Sequence, residues 1–216
     1  MKNIIIAGTG AVAAEITSYI EDTSFGKECG LQIKGYLEYP DNIELYYNKY
    51  KFQKPVLGDL DSYQPEEDDY FVIGVANIQF RRVVIEKLQL KSANFITLVH
   101  PSAIVARTAT IGLGNVINPT CIIGPNVVIG EFNLLTSGTM LSHDCKVGDN
   151  NVFSTAVLCG HGIVGNDNEF GIRSSVIPHI EIGDKNLIQA GMIVDKNVED
   201  DTVVFHRFKE KVYFTK

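Results

Sequence analysis

The chain has 216 residues, a net charge of −7 and four cysteines with neither a CxxC pair nor zinc-ligand spacing. That length fits one large or two small domains, and the acidic balance argues against nucleic acid as a partner. No signal-peptide pattern stands at the N-terminus and no apolar run reaches the roughly 18 residues of a bilayer span, so the expected setting is cytoplasmic, with reduced thiols and no membrane insertion.

In chain order, Asn3 to Ala7 is a continuous apolar run that reads as a buried strand, and Ala11 to Glu21 has the composition and apolar spacing of a helix. Between them stands Gly8-Thr9-Gly10-Ala11-Val12-Ala13, a relaxed GxGxxA fingerprint in strand, turn and helix context. Such a turn aims backbone N–H groups and a helix N-terminus at a phosphate. A second strand, Ile33 to Glu38, ends in an acidic residue where a Rossmann domain holds a ribose hydroxyl. Phe71 to Gly74 reads as a third strand. Val75-Ala76-Asn77 then leads into a helix, Ile78 to Leu88, whose exposed face is expected to carry Arg81, Arg82 and Lys87. Asn94 to Val99 closes a small parallel sheet. The domain stops before a second half-fold, which argues against NAD and leaves room for a nucleoside diphosphate. The acidic clusters Glu66-Glu67-Asp68-Asp69 and Glu199-Asp200-Asp201 read as solvated turns.

From Val105 onward the pattern changes. An apolar residue recurs at every sixth position: Val105, Ile111, Ile117, Ile123, Ile129, Leu135, Leu141, Val147, Phe153 and Cys159. The period then shifts by one deleted residue after Cys159 and resumes as Val164, Phe170, Val176, Ile182, Ile188 and Val194. This is a hexapeptide repeat, in which three hexads make a triangular coil of about 18 residues and the marker side chains fill the prism. The residues two before the markers, such as Asn115, Cys121, Asn133 and Cys145, are small or polar; Cys121, Cys145 and Cys159 are expected to point inward. Glycines after the markers and the asparagines suit corners with left-handed backbone. The fold class is therefore an α/β Rossmann-like N-terminal domain over 1–98, a left-handed parallel β-helix over 99–198 and a tail over 199–216.

This order, with Gly8-Thr9-Gly10, Ile73-Gly74-Val75-Ala76-Asn77 followed by Arg81, His100-Pro101, and His143-Asp144 within Ser142-His143-Asp144-Cys145-Lys146-Val147-Gly148, resembles the NeuD/PglD-like family. These are bacterial hexapeptide-repeat sugar acyltransferases, comprising sialic acid O-acetyltransferases and nucleotide-amino-sugar N-acetyltransferases. The resemblance implies a homotrimer that takes acetyl-CoA as acyl donor and a nucleotide-linked amino sugar as acceptor. It implies His143 as general base with Asp144 orienting it, Gly160, His161 and Gly162 at the acyl-CoA, and Gly8, Thr9, Gly10, Glu38, Asn77 and Arg81 at the nucleotide sugar. A histidine beside an acidic residue also suits acyl transfer on chemical grounds, since a base near neutral pKa frees the nucleophile's lone pair. His161 lies 18 residues after His143, so the two are expected to stack one coil apart. Arg207, Lys209 and Lys211 are candidates for CoA phosphates.

Three other readings stay open at this point. One is an O-acetyltransferase for a sialic-acid-like sugar. A second is a sugar-binding or scaffold trimer without chemistry. The third is the zinc site of γ-class carbonic anhydrases, also left-handed β-helices, to which His143, His161 and nearby His179 could contribute; it would leave the N-terminal domain without a role, and no metal is expected.

Overall fold

The computed structural model describes residues 1–205. Its N-terminal part is a parallel sheet with helices on both sides. Strands β1 (Lys2–Ala7), β2 (Leu31–Leu37), β3 (Val56–Gly58), β4 (Asp69–Ile73) and β5 (Asn94–Phe95) lie in the order β3-β2-β1-β4-β5. The central β1 is buried on both faces, which is why it reads as an unbroken isoleucine run rather than an alternating one. Ile4 and Ile6 pack with Ala13, Ile16 and Ile20 of helix α1 (Ala11–Glu21), while Ile5 and Ala7 pack with Val84, Ile85 and Leu88 of helix α2 (Ile78–Leu90).

The run from Asn94 to Val99 is not one strand. Asn94–Phe95 pairs with β4, whereas Leu98–Val99 pairs with Val116–Ile117 of the repeat region. The chain crosses over at Thr97, whose hydroxyl donates to the Gly112 carbonyl at 2.7 Å. Asp69 likewise departs from the expected solvated turn. It is fully buried at the start of β4, accepting hydrogen bonds from Lys34 Nζ and Tyr63 Oη at 2.7 Å each.

From Leu98 the chain winds as a three-sided parallel β-helix of two-residue strands, with seven strands on the first face, six on the second and five on the third. The repeat architecture agrees with a left-handed hexapeptide β-helix. Val203–Val204 pairs with Leu187–Ile188, so the first face continues past position 198, the expected end of the domain. The markers from Ile117 onward fill the interior, with the Phe153 and Phe170 rings stacked at 4.4 Å, while Val105 in the first coil is exposed. A file of buried asparagines, Asn115, Asn133, Asn151, Asn168 and Asn186, runs up one inner corner. The first four amide oxygens each accept the backbone N–H of the next asparagine at 2.8–2.9 Å and that of Asn186 accepts the Thr202 N–H at 2.7 Å, so backbone groups that would be stranded inside the prism are satisfied coil by coil.

The structure corrects the phase of the repeat. Leu141 pairs with Leu158, and Leu158 with Val176, so the residue missing from the repeat falls between Phe153 and Leu158 rather than after Cys159. Leu158 is the buried marker; Cys159 is only partly buried and sits at a corner. The left-handed residues are not the glycines after the markers. They stand three positions before the markers from Ile117 onward, as in Asn126, Asp144, His161 and His179 with φ of 59°, 59°, 61° and 64°. Gly112 and its equivalents answer a different demand, because a Cβ on Gly112 would lie 2.5 Å from the Gly130 carbonyl oxygen of the next coil.

The α/β part docks on the first face. Leu98, Val116, Leu134 and Val152 point outward there and are buried in the same cluster as Ile4, Ile16 and Tyr36. Equivalent outward positions on the other faces, Ile104, Ile122 and Ile193 on the second and Val128 and Ile163 on the third, are exposed. No helix among the described residues is long and apolar enough to cross a membrane.

Candidate active site

His143 and Asp144 occupy the corner between the second and third faces, after Met140–Leu141 and before Lys146–Val147. The left-handed φ at Asp144 folds its carboxylate back toward the preceding side chain, and Asp144 Oδ2 lies 2.8 Å from His143 Nδ1. Asn126 Nδ2, one coil below, donates to Asp144 Oδ1 at 3.0 Å. The hydrogen bonds from Asn126 and then His143 hold the Asp144 carboxyl below the usual aspartate range, so it is ionised at neutral pH. An ionised acceptor places the proton on Nδ1 and leaves the lone pair of His143 on Nε2.

The shortened coil decides what lies above this pair. Register sets Gly160 over His143 and His161 over Asp144, so His161 does not share the phase of His143 as its spacing implied. A Cβ on Gly160 would stand 2.6 Å from His143 Cε1; the imidazole therefore rests on a glycine that no other residue could replace without moving the ring. The His143 and His161 rings are 5.3 Å apart and nearly perpendicular, and His161 stacks on His179 at 4.7 Å. The N–H of His161 donates to the His143 carbonyl and that of Gly162 to the Cys159 carbonyl. The Gly160 N–H, like that of His143, has no acceptor among the described residues, and Gly160 itself is buried against the imidazole.

A second site forms at the glycine turn. A cleft of about 320 Å³ is lined by Gly8 to Val12, Glu38, Asn42, Tyr46, Gly74 to Asn77 and Phe80. Gly8 has φ of +109° and lies against Val75, where a side chain would collide with the valine methyl at 2.9 Å. Gly10 caps α1 without a side-chain hydrogen bond, so the helix N-terminus opens into the cleft unblocked. Thr9, Glu38 and Asn77 border it in supporting roles. Both Glu38 oxygens are engaged, one by the Thr9 N–H and hydroxyl at 2.9 and 2.8 Å and the other by the Tyr39 N–H and Asn42 amide. The Asn77 side chain caps α2 by accepting the Phe80 N–H at 2.9 Å.

Arg81 is not on an exposed face. It is fully buried and donates to the Val75 carbonyl at 2.6 Å, the Phe132 carbonyl at 2.6 Å and Asn150 Oδ1 at 3.2 Å. Burial pulls its pKa down to about 9, still leaving it charged at neutral pH. It fastens α2 and the cleft's Val75 to the β-helix. Asn42, Tyr46, Phe80 and Asn126 were not singled out by the sequence; of these only Phe80, an apolar residue off the buried stripe of α2, carried a signal. Arg207, Lys209 and Lys211 lie outside the described residues.

No family model matches the chain. Over 117 residues it is 33% identical to UDP-N-acetylbacillosamine N-acetyltransferase of Bacillus subtilis (strain 168), a match covering 54% of this chain and 51% of that protein. The chain thus matches about half the length of this curated relative. Among solved structures, a histidine-to-alanine variant of GDP-perosamine N-acetyltransferase from Caulobacter crescentus, in complex with CoA and GDP-perosamine, superposes with a TM-score of 0.80 at 20% identity, covering 94% of this chain and 93% of that one. The acetyltransferase domain of PglB from Neisseria gonorrhoeae FA1090, in complex with acetyl coenzyme A, gives 0.77 at 19% identity, covering 94% and 95%. The structural likenesses establish a shared fold, and the resemblance to the hexapeptide-repeat sugar acyltransferases is borne out.

Proposed function

We propose that the chain is an acetyl-CoA-dependent acyltransferase that acetylates the amino group of a nucleotide-linked amino sugar and works as a homotrimer. The α/β part that precedes Leu98 is its Rossmann-like nucleotide-sugar-binding domain, and the left-handed β-helix, from Leu98 through Val204, is its acyltransferase domain. A cytoplasmic setting fits both substrates. The observation that carries this reading is the exposed His143–Asp144 pair at 2.8 Å, with the imidazole laid against Gly160 and the unpartnered Gly160 N–H beside it. The relatives named above, which act on UDP- and GDP-linked sugars by their names, support the acceptor class.

His143 Nε2 takes the proton from the sugar amine as its nitrogen attacks the thioester carbonyl carbon. The Gly160 N–H donates to the oxygen that becomes negative in the tetrahedral intermediate. Asp144 holds the Nδ1–H tautomer and stabilises the imidazolium. Collapse breaks the carbon–sulfur bond, His143 returns its proton to the departing thiolate, and the products are the N-acetylated sugar and free CoA.

The residues present fit an acyl-CoA. Besides the donor and the base, exposed Ile163 and Ile177 near the corner offer apolar surface to an extended thioester arm. Exposed apolar positions on the second and third faces support the trimer, because further copies of the chain would cover what the α/β domain covers on the first face. The uncapped α1 N-terminus and the Gly8-Thr9-Gly10 turn suit the diphosphate of the acceptor.

The test is thiol release from acetyl-CoA with UDP- and GDP-linked amino sugars and with free sialic acid, for wild type and His143→Ala. Turnover of an amino sugar that falls about 10²- to 10⁴-fold in the variant is expected. Turnover that survives the substitution, or that occurs only with sialic acid, contradicts the proposal.

A further inference from the structure

The corner that holds His143 carries more nitrogen donors than acyl transfer requires. Asn126, Asp144, His161 and His179 occupy equivalent left-handed positions in four successive coils, so their side chains leave the prism in one file, with His143 alongside. His161 Nε2 is 3.9 Å from Asp144 Oδ2, and one ligand atom from each of His143, Asp144 and His161 lies within 4.8 Å of the others. All three side chains reach solvent.

We propose that this corner binds a divalent transition ion of the zinc type, with His143 Nδ1, Asp144 Oδ2 and His161 Nε2 as ligands, and that the bound ion switches acyl transfer off. The inhibitory half rests on the reading of His143 as the base; the binding half does not. Two imidazoles and one carboxylate suit Zn²⁺ or Co²⁺, whereas Mg²⁺ and Ca²⁺ prefer oxygen alone. Metal–ligand bonds of about 2.0–2.2 Å in a tetrahedron place ligand atoms roughly 3.4 Å apart, so His143 Nδ1 and Asp144 Oδ2, now 2.8 Å apart, open slightly to admit the ion while His161 Nε2, 3.9 Å from Asp144 Oδ2, moves in. Rotation of exposed side chains supplies that movement. Asn126 grips Asp144 Oδ1 and leaves Oδ2 to the ion, an outer-shell arrangement that orients the ligand. His179, stacked at 4.7 Å on His161, stands next in the file as a further donor or a support.

The consequence for catalysis follows from proton placement. The ion takes the position of the proton between His143 Nδ1 and Asp144 Oδ2. That proton moves to Nε2, where the lone pair for the sugar amine had been, and the neutral metallated imidazole can no longer act as base.

The test is a titration of the full chain with Co²⁺ and Zn²⁺, read by cobalt visible d–d absorption and by calorimetry, beside thiol release with and without chelator. Wild type is expected to bind one ion per chain and lose turnover in step, with recovery on chelation. His161→Asn, chosen because asparagine accepts a left-handed backbone, and His143→Gln are each expected to weaken binding by about tenfold or more. Zinc inhibition should shift to correspondingly higher concentration in His161→Asn. Unchanged affinity in both variants, or no cobalt spectrum in wild type, overturns the site; binding without inhibition overturns the switch. Cobalt binding in a protein that never releases thiol would refute the acyltransferase reading and leave the site standing.

Discussion

The two parts of the molecule place their charged side chains in opposite ways. In the α/β part, Glu38, Asp69 and Arg81 are buried and every one is engaged by neighbouring groups. In the β-helix the buried polar file is the neutral asparagine ladder, and the charged or ionisable groups at the His143 corner face solvent. The difference teaches where chemistry can reside. An ion held by several internal hydrogen bonds positions backbone, while an exposed histidine with one ordered partner keeps a lone pair for a substrate.

The largest effect that would sharpen this contrast is at Arg81. Arg81→Ala leaves the Val75 and Phe132 carbonyls and Asn150 without their donor, and a loss of about 3–5 kcal/mol in urea unfolding is expected. A loss below about 1 kcal/mol would mean that water replaces the guanidinium and that the junction is not fastened there. Asn151→Ala interrupts the ladder in mid-prism, removing acceptors and donors in two coils; about 2–3 kcal/mol is expected in the same measurement.

The Lys34–Asp69 pair gives a pH signature. The Asp69 carboxyl, which burial would raise, is brought below its ordinary value by hydrogen bonds from Lys34, the Glu66 N–H and Tyr63; its stabilisation is present above the unfolded pKa and is lost as pH falls through the folded one. Lys34 is shifted up, against its own desolvation, by Asp69 and then Glu66; its contribution is present below the unfolded pKa and is lost as pH rises through the folded one. The stability difference between wild type and Asp69→Asn should therefore form a plateau of about 1–2 kcal/mol around neutrality and shrink at both extremes. A difference that is flat from acid to alkali would show that shape, not charge, matters at position 69. The smallest effect is chemical. Burial pushes the Cys121 thiol up to about 11 and raises that of Cys145 as well, so a thiol reagent should label exposed Cys29 in the native protein and spare these two.

Much of the β-helix was legible because one constraint recurs at every coil: an apolar side chain must fill the prism. The phase after Phe153 was not, since Val157-Leu158-Cys159 offers adjacent apolar residues and periodicity alone cannot say which one the shortened corner turns inward. That one-residue ambiguity changed the neighbour of His143 from His161 to Gly160. Glycine has two uses in the repeat, left-handed turns and close coil stacking, and composition does not separate them. Arg81 was readable and was misassigned: it precedes Val84, Ile85 and Leu88 by three, four and seven residues, and so lies on the buried stripe of α2. Glu38 carried no such sign, because its partners come from a turn 29 residues earlier as well as from its own loop. The His143–Asp144 contact was legible because adjacent residues at a left-handed corner meet without help from the rest of the fold.

The most direct test of the account is a paired measurement of turnover and unfolding midpoint for His143→Gln and Arg81→Met. The account predicts that His143→Gln lowers thiol release by about 10²- to 10⁴-fold while keeping the midpoint, and that Arg81→Met lowers the midpoint while keeping turnover wherever the protein remains folded. Loss of turnover in folded Arg81→Met with activity retained in His143→Gln would contradict the division between scaffold and chemistry.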